Sequence, residues 1–302
     1  MNRDGYFIDS DGNGLGQCLV LTGPWRDELA DLMSSRGLSL LRLSSSVGWN
    51  GDDISFVSRL KFLTGLEVYS WNIKDVSPLF QLAGLRYVGL QCEFTSKADF
   101  GTLTGLEILK LFWRPKVTGV EHCTNLRHLN VVNYPHDDLS EWISLVNVQR
   151  LQITSNKLLS LRGIEAMSRL KNIDVAKCPK LNDIARLATC NELQSMTFTA
   201  CRRLSQLPTD LCLDSLQEVS LEDCGTIRTL RPLAQCKNLK ILRFVGDTTI
   251  TDGDFNFLLQ HPSLKEIWYA NRSHYTLTRE ELAEKLALRP ADANRDTRHP
   301  LH

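Results

Sequence analysis

The chain has 302 residues, 42% of them hydrophobic, with 35 lysines and arginines against 35 aspartates and glutamates. That length can bury a core in one large or two ordinary domains. The zero net charge removes any overall electrostatic case for a nucleic-acid or membrane partner.

The opening stretch, MNRDGYFIDSDGNGLGQ, lacks an apolar signal-peptide run, and nowhere do 18 apolar residues follow one another. No transmembrane helix is expected, and the expected compartment is a reducing cytoplasm, where structural disulfides are rare. Asp9 to Gly14 (DSDGNG) matches the first half of a calcium loop. The bidentate glutamate such a loop needs at position 12 falls on Val20, so a polar turn is expected instead. Cys18 to Gly23 (CLVLTG) reads as a strand. GPWRDELADLMSSRG reads as a short helix, with Pro24 in its first turn and Trp25, Leu29, Leu32 and Met33 on one face.

From Leu38 onward one motif, L-x-x-L-x-L, recurs. It runs through LSLLRL (Leu38), LEVYSW (Leu66), LRYVGL (Leu85), LEILKL (Leu106), LRHLNV (Leu126) and VQRLQI (Val148). It continues with LKNIDV (Leu170), LQSMTF (Leu193), LQEVSL (Leu216), LKILRF (Leu239) and LKEIWY (Leu264). The anchors step by 28, 19, 21, 20, 22, 22, 23, 23, 23 and 25 residues. No Pro-, Ser- or Gly-rich linker divides the array. TLTREELAEKLAL follows, with Thr278 and Glu281 at capping-box spacing and Leu282, Leu286 and Leu288 placed to cover the last coil. The tail RPADANRDTRHPLH is polar and expected to be flexible.

Over roughly residues 17–275 this pattern resembles the leucine-rich-repeat family, closest in look to its Sds22-like, internalin-like and Cys-containing branches. The resemblance implies an α/β solenoid: a horseshoe with a parallel sheet on the concave face, a mostly 3₁₀ or irregular convex side, and helical caps. Residues 1–37 form the N-terminal strand and capping helix, 38–275 the eleven repeats, and 276–302 the C-terminal capping helix and tail. At about 4.8 Å between strands, eleven of them make a sheet on the order of 50 Å long. The family pattern carries Asn or Cys two residues after the last apolar position, which Asn156, Cys178, Cys201 and Cys224 fill. Cys123, Cys190 and Cys236 fall three residues before the anchor, where Leu63, Leu82, Leu103 and Leu145 sit in sister repeats. These six cysteines are expected to be buried thiols, not disulfides or metal ligands.

Period-two alternation assigns the residues flanking the inward leucines to the concave surface. In the first two repeats these are Leu40 and Arg42, then Val68 and Ser70. Further along they include Tyr87, Lys110, His128, Arg150, Asp174, Glu218, Arg243, Glu266 and Trp268, with Phe112, Trp113, Glu222 and Asp223 just beyond their strands. The early part of the face is basic (Arg42, Lys110, Arg150, with His128) and the later part acidic (Asp174, Glu218, Glu222, Asp223). Tyr87, Phe112, Trp113 and Trp268 are read as exposed aromatics, the residue type enriched in interface hot spots. Trp49, in the loop SSSVGWNGDD, offers a further contact.

No G-x-S-x-G, P-loop, G-x-G-x-x-G or HExxH motif occurs, and no cofactor is implied. YPHDD (Tyr134 to Asp138) offers a histidine beside two carboxylates, but without a second ligand cluster it reads as a solvated loop. Cys123 beside His122 sits in a leucine slot and is not expected to be a nucleophile. The expected function is non-enzymatic: binding another protein on the concave face. An immunity-type inhibitor of a toxin enzyme is preferred over a regulatory or scaffolding adaptor of the phosphatase-regulator or substrate-receptor type.

Overall fold

The computed structural model describes residues 4–10 and 14–288. Asp11, Gly12 and Asn13 of the calcium-like stretch, and the polar tail from Arg289, lie outside the described residues. Among the described residues thirteen strands form one sheet in chain order. They are β1 (Tyr6–Ser10), β2 (Gln17–Leu21), β3 (Leu40–Ser44), β4 (Gly65–Tyr69), β5 (Tyr87–Gln91), β6 (Ile108–Phe112) and β7 (His128–Val132). The sheet continues with β8 (Arg150–Thr154), β9 (Asn172–Ala176), β10 (Ser195–Thr199), β11 (Glu218–Glu222), β12 (Ile241–Val245) and β13 (Glu266–Tyr269). β1 folds back antiparallel on β2 as a hairpin strand the repeat pattern did not include. Every later pairing is parallel, because each coil returns over the convex side before the next strand begins.

Burial alternates along the strands, most regularly from β6 onward. Leu109 and Leu111 of β6 are 0% and 2% exposed while Ile108, Lys110 and Phe112 are half-buried. The inward residues stack coil on coil into one core, so no coil is stable without its neighbours. Among the described residues ten 3₁₀ turns of three to five residues line the return segments. Steps of 20 to 25 residues leave no length there for full helices.

The register of the second repeat differs from the sequence reading. Leu66 pairs with Leu41 and Val88, so the anchor is Leu63, and the first two steps become 25 and 22 residues. A shift of three residues is odd, so it exchanges the two faces of the strand. Val68 and Ser70 are therefore buried at 0% and 1% exposure, while Glu67 and Tyr69 take the concave positions.

The polar corner after each strand also needs one correction. Ser155, not Asn156, fills it after β8: its Oγ donates to the Tyr134 carbonyl at 2.7 Å and accepts from the Lys157 and Leu158 amides at 3.0 Å. Asn156 is exposed. After β9, β10 and β11 an extra residue with φ near +50°, Lys177, Ala200 or Asp223, pushes Cys178, Cys201 and Cys224 one position outward. β8 has no such residue, so its corner comes one residue earlier.

The helix α1 (Glu28–Ser35) buries Leu29 and Met33. The helix α2 (Arg279–Ala287) opens with the expected capping box: the Thr278 side chain accepts from the Glu281 amide at 3.2 Å, and Glu281 accepts from the Thr278 amide at 2.7 Å. Leu282 and Leu286 cover the last coil, whereas Leu288 is 75% exposed and does not. All nine cysteines are free thiols, and only Cys212 is exposed. A water-soluble thiol reagent should therefore label one cysteine rapidly in the native protein and all nine after denaturation. Three or more fast thiols in the native state would contradict the buried assignment.

Candidate functional site

The concave face divides into a closed stretch and an open one. On β3 to β5, the carboxylate of Glu67, 4% exposed, accepts the Tyr69 hydroxyl at 2.9 Å, the Tyr87 hydroxyl and the Arg42 Nε. Arg42 reaches Asp9 of the hairpin at 3.5 Å on its other side. Gly89 allows this closeness, because a Cβ there would stand 2.5 Å from the Tyr69 hydroxyl oxygen. Burial first, and then the neighbouring Glu67 carboxylate, pushes the Tyr69 phenol well above its usual range; for Tyr87 burial is followed by Tyr69 and Glu67. Tyr87 is 2% exposed, so it is not an exposed aromatic. Arg42 and Tyr87 are turned onto this cluster, and the early face is less basic than the sequence implies. The charge that cancels it, Glu67, was hidden by the register slip.

From β6 onward the face is open. Lys110 stands over the Tyr87 ring at 5.4 Å. His128 shares a 3.1 Å hydrogen bond with Gln152; burial, aided by Arg150 and Lys110, holds its imidazole below the usual range. Arg150 is exposed, and Asp174 accepts from Gln152 at 3.4 Å. Glu107, Ile108, His128, Arg150 and Asn172 line a hollow of about 410 Å³. Farther on, Arg243 lies between Glu218 and Glu266, 3.9 Å from the latter, so one guanidinium offsets part of the charge of two carboxylates. Trp268 at the last strand is 49% exposed, with the Arg279 guanidinium 5.6 Å from its ring. Glu222 is exposed, whereas the Asp223 carboxylate is occupied in accepting the Asp247 amide at 2.9 Å.

Two of the expected contact aromatics belong to the core. Trp113 is 8% exposed and packs on Tyr134 and Trp142, at 5.7 and 6.4 Å between ring centres. Trp49 is 2% exposed, folded inward beneath its loop. Trp71, read as a core position through the register slip, is 51% exposed and meets Phe112 edge-on at 5.4 Å. Arg114 stacks on Phe112 at 4.6 Å, so an aromatic–guanidinium cluster stands at the rim where strands end.

The YPHDD stretch is tied into the fold. The Tyr134 hydroxyl donates to the Asp138 carbonyl at 2.9 Å, Asp138 accepts the Ser140 amide at 2.9 Å, and His136 faces Glu141 at 3.2 Å. Among the described residues no group of three or more His, Cys, Asp or Glu could hold a metal ion. No helix among them is long and apolar enough to cross a membrane.

No protein-family model matches the chain. The disease resistance protein RPP2A of Arabidopsis thaliana is 26% identical over 198 residues, covering 61% of this chain. The chain spans 14% of that relative's length. An internalin (inlF) of Listeria monocytogenes superposes with a TM-score of 0.59 over 89% of this chain and 84% of its own, at 18% identity. The internalin C2 of the same organism superposes at 0.43 over 62% of this chain and 73% of its own, at 22% identity. Repeated sequence and stacked coils together give this chain the leucine-rich-repeat fold.

Proposed function

We propose that the chain is a non-enzymatic cytoplasmic protein that occupies the surface of a partner protein with its concave face, acting as an immunity-type inhibitor of a partner enzyme. The observation that supports this is the open face from β6 to β13. It is continuous, carries the exposed Arg150 and the half-exposed Trp268, and is rigid because every strand is bonded to two others or to a cap. A rigid face with arginine and tryptophan anchors pays little ordering entropy on binding. The buried free thiols suit a reducing compartment.

The test is affinity capture from the native host, comparing wild type with an Arg150→Glu/Trp268→Ala variant. Each captured enzyme is then assayed with stoichiometric protein. We expect one dominant partner, bound at least tenfold more weakly by the variant, whose activity falls when the wild type is added. A partner held equally by the variant removes the concave face from the reading. A partner that keeps full activity when bound makes the chain an adaptor instead.

A further inference from the structure

Away from the concave face, the rim where β8, β9 and β10 end carries a column of unmatched positive charge. Thr154, Ala176 and Thr199 lie side by side in register. The buried corners that follow are Ser155, Cys178 and Cys201, and two residues beyond each corner stand Lys157, Lys180 and Arg203. The same coil position is thus cationic in three consecutive coils, and Lys177 and Arg202 flank it. All five side chains are exposed, and none makes an ion pair or hydrogen bond among the described residues. Elsewhere the chain matches many of its arginines: Arg42 with Glu67, Arg86 with Glu107, Arg231 with Asp254, Arg243 with Glu218.

Neighbouring coils are spaced about 4.8 Å apart, so this column sets like charges close together, which lowers stability and contributes nothing to packing. At one end it meets a hollow of about 640 Å³ walled by Trp113, Pro115, Tyr134, Pro135, His136 and Lys157. At the other end Glu222 and Asp223, on the coil of β11, reverse the charge. From the hollow at β6 to the last cations at β10 is four strand spacings, about 19 Å, the length of roughly six extended residues.

We propose that this rim binds an extended acidic peptide segment of a partner, with one large apolar side chain seated in the hollow and carboxylates along Lys157, Lys180 and Arg203. A peptide fits better than a nucleic acid. The charged track is short, it is closed by two carboxylates, and the whole chain is neutral, whereas nucleic-acid binders spread many phosphate contacts over a basic surface. The site is separate from the concave face and independent of whether that face inhibits an enzyme.

The experiment is fluorescence anisotropy with a labelled peptide of one tryptophan followed by about six glutamates. Binding should be saturable and weaken as salt rises, as for exposed charge pairs. It should weaken at least about tenfold in Lys157→Glu/Lys180→Glu/Arg203→Glu, and survive in the charge-conserving Lys157→Arg/Lys180→Arg/Arg203→Lys. Replacing the peptide's tryptophan by alanine should also weaken it, and Trp268→Ala in the protein should leave it unchanged. Circular dichroism confirms that each variant is folded. Absence of saturable binding, equal binding by the charge-reversed variant, or tighter binding of an equally charged oligothymidine would overturn the proposal.

Discussion

Between about pH 9.5 and 11 the protein should unfold cooperatively in the presence of a reductant. Burial pushes the thiols of Cys92 and Cys123 up to about 12 and that of Cys190 up to about 11, and raises Cys236. The neighbouring thiol, ahead of burial, raises Cys201 and Cys224 and lowers Cys178. In the unfolded chain the same thiols ionise near their ordinary 8.5. Above that pH the folded state therefore holds more protons than the unfolded state, and stability that is complete below about pH 8.5 is lost as pH rises. Each strongly raised group contributes a slope of about 1.4 kcal/mol per pH unit, so Cys92, Cys123 and Cys190 alone give roughly 4 kcal/mol per unit, against a total stability of about 5–15 kcal/mol. The phenols of Tyr69, Tyr87, Tyr134 and Tyr269, raised chiefly by burial, steepen the loss above pH 10. Circular dichroism against pH, with urea melts at each step, measures both midpoint and slope. Cys123→Ala/Cys190→Ala removes two of these three thiols from apolar slots and should lower the slope between pH 9 and 10 by about 2–3 kcal/mol per unit. A stability flat to pH 10.5 would rule this account out.

The same cysteines show how much of the molecule could be read in its sequence. A solenoid repeats one local rule, so the leucines of β6 to β13, spaced 20 to 25 residues, identified both fold and facing. The thiol slots followed because a residue that recurs at a fixed place in the coil must share that place's surroundings. The reading slipped where the rule is locally ambiguous. LTGLEVYSW offers two leucines three residues apart, and choosing Leu66 over Leu63 as anchor turned Trp71 inward and Glu67 out of sight. An even step of 22 residues to Leu85 was the available signal for Leu63. Trp113 failed for a different reason. Its corner position takes a small polar or thiol side chain in most coils, and only the neighbouring Tyr134 and Trp142 open a space large enough to receive an indole. The pairing of concave charges was also invisible, because a single strand does not reveal which side chain lies across from it in the next. β1, outside the repeat altogether, obeyed no pattern that the repeat could expose.

Glu67→Ala should destabilise the native state by about 3 kcal/mol, the cost typical of removing one partner from a buried charged network. The substitution removes the carboxylate shared by three groups: the Arg42 guanidinium keeps only Asp9, and the Tyr69 and Tyr87 hydroxyls keep only each other, at 3.3 Å. Tyr87 is 2% exposed, so water cannot readily replace the lost bond, whereas Arg42 retains Asp9 and some access to solvent, which limits its share. Glu67→Gln keeps the shape and one acceptor oxygen but loses the charge, and should fall between the wild type and the alanine variant. Arg42→Met in both backgrounds completes a double-mutant cycle, with an expected coupling of at least about 1 kcal/mol because the two side chains share one buried contact. Urea unfolding, followed by fluorescence and circular dichroism together, supplies the free energies. A Glu67→Ala variant within about 0.5 kcal/mol of wild type would mean the cluster is open to water and that Arg42 and Tyr87 belong to the binding face after all. A large loss with the Arg150 and Trp268 surface unaffected in partner binding would instead fix the division of the horseshoe. That outcome would leave the first coils holding the hairpin through Glu67 and Arg42, and partner contact to the coils from β6 onward.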